Sequence, residues 1–143
     1  LATKLPNAGN ESGLGLDTMD FFASILAGKT QGSTRYVGNI GLGILGDPTR
    51  GDRQSDVLTY GVSVAHAIAE GLDVVGEING RFQWAEQFPP PGGDSRAVLR
   101  AGLRYTRGGG RVDAALLIGT AARDPGVGVT VGYTHALAAF PVP

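Results

Sequence analysis

Few residues of this chain have the types and spacing to do chemistry. Glu77, Asn79 and Arg81 follow one another at steps of two, and Arg96, Arg100 and Arg104 at steps of four. In an extended strand, residues two and four apart leave from the same face. These six predict a charged strip suited to binding or selecting ions. Catalysis has much less to work with. Ser24 and Ser63 are possible nucleophiles, but the only histidines, His66 and His135, fall on the opposite face of their strands, so a Ser–His–Asp arrangement cannot be assembled. No catalytic residue is expected, and an enzyme is the least supported class.

Metal and cofactor motifs fare no better. The chain has no cysteine, hence no thiolate site, and the two histidines have no third ligand. Asp47, Asp52 and Asp56 share one connection and could offer oxygen ligands to Ca²⁺. Their spacing lacks the EF-hand pattern, and solvated loop charge is the better reading. Gly41-Leu-Gly43-Ile-Leu-Gly46 spells GxGxxG, yet the glycines lie within a strand and Asp47-Pro-Thr follows where a dinucleotide site needs a helix. Arg50-Gly-Asp52 is a chance tripeptide, and Pro89-Pro-Pro-Gly-Gly93 reads as a loop tip. No metal and no cofactor are expected.

The elements that must carry the strip are strands. Met19–Ala27, Tyr36–Ile44, Leu58–Ile68, Leu72–Phe82, Arg96–Tyr105, Val112–Gly119 and Val127–Leu137 all alternate with period two, and Ala2–Leu5 is a shorter candidate stopped by Pro6. One face of each is apolar, as in Leu58, Tyr60, Val62, Val64 and Leu72, Val74, Ile78, Phe82. The other is mostly Gly, Ala, Ser, Thr and Asn, with charge concentrated on the two strands of the strip. The connections near Lys29–Thr34, Ala69–Gly71 and Arg107–Gly110 are short. Those near Ala8–Asp17, Gly46–Asp56 and Gln83–Ser95 are long, and Ala121–Gly126 is intermediate. Bacterial outer-membrane barrels sort their connections this way, with tight periplasmic turns and longer external loops.

Composition agrees. Glycine numbers 24, charged residues are 17% of the chain, and of twelve cationic residues only Lys4 and Lys29 are lysine. A water-facing surface normally needs more charge than this. Net charge is −1 and the basic residues are scattered, so no nucleic-acid partner is expected. No apolar run reaches the ~18 residues of a membrane helix. The chain opens at Leu1 without a charged-apolar leader, which implies a removed signal peptide or a fragment.

Alternation alone fits a soluble barrel and its inside-out membrane counterpart equally. The non-apolar face decides, because small residues with a few paired charges suit a narrow lumen better than bulk water. Glu77, Asn79, Arg81, Arg96, Arg100 and Arg104 are accordingly expected to line that lumen. Pairing around the Gln83–Ser95 loop is expected to bring Glu77 opposite Arg104 and Arg81 opposite Arg100. Phe21, Tyr60 and Phe82 at the long-loop ends, with Tyr36 and Tyr105 at the short-turn ends, predict two interfacial aromatic girdles.

The stretches Lys4-Leu-Pro-Asn-Ala8, Gly13-Leu-Gly-Leu-Asp17, Gly38-Asn-Ile-Gly-Leu-Gly43, Leu58-Thr-Tyr-Gly61, Glu77-Ile-Asn-Gly80, Leu99-Arg-Ala-Gly-Leu-Arg-Tyr105 and Gly128-Val-Thr-Val-Gly-Tyr133 carry a family resemblance. Together they resemble the C-terminal portion of the outer-membrane β-barrel transporters of the phenol-degradation MetA-pathway type. The resemblance implies an outer-membrane location and uptake of small, hydrophobic or aromatic solutes. It also implies a barrel of ten or more strands, against about eight here, so that this chain is a fragment, a partner in a shared barrel or a shortened relative.

The expectation is a single all-β domain over 1–143, an antiparallel up-and-down transmembrane β-barrel. Its partners are the outer-membrane bilayer and additional strands from the same or another chain. Its function is a channel for small solutes. Two alternatives stand beside it: a structural barrel presenting its loops to a partner, and a soluble lipocalin-like binder with the apolar face inward.

Overall fold

A computed structural model describes residues 1–5, 17–47, 54–84, 93–122, 124 and 126–136. The described residues form one all-β, antiparallel, up-and-down sheet. Its strands are β1 (Ala2–Lys4), β2 (Asp20–Gln31), β3 (Thr34–Gly46), β4 (Gln54–Ala69), β5 (Leu72–Gln83), β6 (Arg96–Arg107), β7 (Gly110–Gly119) and β8 (Val127–His135). Each strand pairs with its neighbours in sequence. Among the described residues no pairing joins β1 to β8, which form the two edges. No described helix is long and apolar enough to cross a membrane, a fact with no bearing on strands.

Most strands run longer than the strictest alternation predicted, while β1 ends at Lys4 and β8 at His135, short of the expected Leu5 and Leu137. β4 begins four residues earlier, at Gln54, and β2 runs on to Gln31, because inter-strand hydrogen bonds continue past the last apolar residue. Three tight turns sit at one end of the sheet. Gly32, Gly71 and the pair Gly108–Gly109 have positive φ there, a conformation that only glycine adopts without strain. Each turn is also tied to the strand beyond it: Ala67 N–H donates to Ser33 O, Thr106 N–H to Gly71 O and Ala136 N–H to Gly109 O. The longer connections all lie at the other end, in the order the sequence predicted.

The sheet's small dry cluster also lies at that end. Val57 is wholly buried, with Ser55 and Leu45 nearly so. These side chains belong to the face that carries the charged strip.

Candidate functional site: the charged face of β5 to β7

On β5, β6 and β7 all the charges within the strands but one share a face: Asp73, Glu77, Arg81, Arg96, Arg100, Arg104, Arg111 and Asp113, with Arg107 at the end of β6 on the other. Three cross-strand rungs join β5 to β6, with Asp73 opposite Arg104, Glu77 opposite Arg100 and Arg81 opposite Arg96. This corrects the expected register, since Glu77 faces Arg100 and Arg81 faces Arg96. The hairpin is displaced by four residues from the expected pairing. An even displacement keeps every side chain on its own face, so alternation could not detect it.

Glu77 Oε1 accepts from Arg100 Nη1 at 2.6 Å and from Asn79 Nδ2 at 2.9 Å. Arg104, expected beside Glu77, is held from the other side: its Nε donates to Asp113 Oδ1 at 2.7 Å on β7. Asp113 Oδ2 accepts from Arg111 Nε at 3.0 Å. Asp113 and Arg111 join the strip although the spacing of Glu77 to Arg104 does not point to them. Their signal was present in the alternation of β7, which sets both on the face of the strip. Arg81 Nε donates to the carbonyl of Asp94 at 2.9 Å. Arg96, the first residue of β6, has a buried Nε with no hydrogen-bond partner among the described residues.

The two faces differ in enclosure. The Glu77, Arg100, Arg104 and Asp113 side chains are each about 30% exposed. On the apolar face Ile25 is 75% exposed, Val62 53%, Leu103 51% and Leu116 58%. The greasy face is therefore the open one, and the polar, charged face the more enclosed, the reverse of a water-soluble sheet.

Four of the five aromatics named from the sequence lie on the apolar face near the ends of their strands. Phe21 and Phe82 are exposed on the apolar face at the long-connection end, and Tyr36 and Tyr105 at the short-turn end. Tyr60 differs. Because β4 starts at Gln54, Tyr60 lies well inside the strand and is half-buried, with its ring over Gly80 of β5. Trp84 at the end of β5 and Tyr133 on β8 join the exposed aromatics.

His66 accepts or shares a hydrogen bond with Thr34 Oγ1 at 2.8 Å, and His135 stacks on Tyr133. Both face away from Ser24 and Ser63. No group of three His, Cys, Asp or Glu that could hold a metal occurs among the described residues. Arg50, Asp52, the Pro89–Pro91 tip and the Ala8 and Gly13 motifs lie outside the described residues.

Two further clusters anchor the long-connection end. Asp20 takes Lys4 Nζ at 2.8 Å and the Gly46 N–H at 3.1 Å, tying β1, β2 and β3 together. Asp124, between β7 and β8, accepts the N–H groups of Ala97 and Ala121 at 2.9 and 3.0 Å on one oxygen. These bonds, that from Ala97 foremost, hold its carboxyl below the usual carboxylate range. No protein-family model, no curated protein and no solved structure matches this chain.

Proposed function

We propose that this chain forms all or part of an outer-membrane β-barrel that conducts small solutes. The observation that carries the reading is the inverted exposure of the two faces. Open apolar side chains along β2 to β8 suit acyl chains, and the enclosed Arg–Glu–Asp face suits an aqueous lumen. Were the faces reversed, each arginine near the bilayer midplane would cost ~2–4 kcal/mol. Turn sorting supports the same arrangement, with the Gly32, Gly71 and Gly108–Gly109 turns on the periplasmic side.

In this reading Glu77, Asn79, Arg81, Arg96, Arg100 and Arg104, with Asp113 and Arg111, line the lumen and set its selectivity. Eight strands enclose an interior that side chains just fill. A conducting path therefore calls for strands beyond β1 and β8, from the same or another chain, in keeping with the lack of a β1–β8 pairing among the described residues. Hydrophobic or aromatic compounds are the solute class to which the resemblance to phenol-degradation MetA-pathway transporters points.

The test is reconstitution of the full-length protein in planar bilayers. Discrete conductance steps are expected, and a bilayer silent at every voltage would remove the channel. Heat-modifiable migration in detergent gels is read in parallel. If migration shifts while the bilayer stays silent, the structural, loop-presenting barrel is the reading that remains. If the protein extracts without detergent and does not shift, both membrane readings fall to the soluble binder.

A further inference from the structure

The three rungs of the charged strip are not alike. Asp73–Arg104 and Glu77–Arg100 oppose unlike charges, whereas Arg81–Arg96 opposes like ones, which destabilises directly facing residues. Asp94, Asp124 and Asp20 lie near enough to act on Arg81, but Arg96 acts on it more strongly than any of them. Asp20 is committed to Lys4 and the Gly46 N–H, whereas Asp124 takes the N–H groups of Ala97 and Ala121 on Oδ2 and its Oδ1 is buried with no hydrogen-bond partner among the described residues. The hydrogen bond from Arg81 Nε goes to a neutral carbonyl. Arg96 Nε, although buried, has no acceptor among the described residues.

Beside this rung lies a concavity of about 450 Å³, bordered by Asn39, Thr59, Asn79, Val98 and both arginines. It has room for a small molecule. Its two strongest donors are guanidinium groups, whose planar forks match a carboxylate.

We propose that Arg81 and Arg96 form a binding site for a small carboxylate at the long-connection end of the strip. The anion would offset the repulsion within the one like-charged rung and supply an acceptor for Arg96 Nε, which makes no hydrogen bond among the described residues. The inference rests on the barrel reading for placing this face in an aqueous lumen.

The test is an acetate titration of ¹⁵N-labelled, detergent-refolded protein at constant ionic strength, with acetamide as the neutral control. Saturable shifts of the Arg81 and Arg96 Nε–Hε signals are expected with acetate and not with acetamide, together with a rise in melting temperature. Arg96→Gln should weaken acetate binding about tenfold or more. Without acetate it should melt no lower than the parent, because the repulsion is relieved. Arg81→Gln provides the same readout should Arg96→Gln fail to refold.

Absence of a saturable shift, or a shift that survives Arg96→Gln, overturns the site. So does a lower melting temperature in Arg96→Gln with acetate binding intact, which would make Arg96 a structural partner of Asp124. The two proposals fail separately. A silent bilayer with acetate binding intact removes the channel and keeps the site, whereas a conducting bilayer with no acetate response removes the site alone.

Discussion

Glu77 on β5 and Arg100 on β6 meet at 2.6 Å, and the same carboxylate oxygen also holds Asn79. With both partners about a third exposed, water screens the pair, so its contribution lies near that of a surface bridge rather than a buried one. Glu77→Ala should destabilise the refolded protein by about 1 kcal/mol, measured by urea unfolding in detergent. A double-mutant cycle should find coupling between Glu77 and Arg100 and almost none between Glu77 and Arg104. Strong coupling to Arg104 would restore the register expected from the sequence.

Val62, on the open apolar face, gives a direct test of which side meets lipid. Val62→Arg should cost ~2–4 kcal/mol if that face lies in the bilayer. On a water-facing surface the same change stays within about 0.5 kcal/mol. Unfolding measured in phospholipid vesicles distinguishes the two, and a neutral result removes the membrane assignment.

Asp124 predicts a local acid response. Its carboxyl is held below the usual range, so its bonds contribute fully above the unfolded-state value near 4 and are lost as pH falls through the lower folded value. Hydrogen exchange at the Ala97 and Ala121 amides should speed up relative to neighbouring strand amides as the pH drops through that window. Asp124→Asn should abolish the response. If the variant keeps the same acid profile, the carboxylate does not hold this connection.

Gly43 and Gly76 should respond oppositely to alanine. A Cβ on Gly43 would lie 2.7 Å from the Phe22 ring and 2.9 Å from Val57, which is fully buried and cannot give way. Gly43→Ala should therefore cost ~1–3 kcal/mol. A Cβ on Gly76 meets nothing within 4 Å, and Gly76→Ala should be neutral or stabilising, since it restricts the unfolded chain. Equal effects in thermal melts would contradict the packing at Gly43.

The sequence by itself determined the strand set, the sorting of short and long connections, and the face on which each side chain lies. Alternation has period two, and a slip of one residue would turn every apolar side chain to the wrong side, so these features are strongly encoded. The tertiary structure alone decided the pairing. A displacement of four residues leaves both faces unchanged, so nothing in the pattern of β5 and β6 could choose Arg100 over Arg104 as the partner of Glu77. The contacts that accompany the observed register lie at the ends of the hairpin, Arg81 with the Asp94 carbonyl and the Gln83 N–H with Ser95 Oγ. Their partners, Asp94 and Ser95, are loop residues outside the alternation. Likewise, pairing with β3 continues β4 back to Gln54 and so moves Tyr60 into the strand interior.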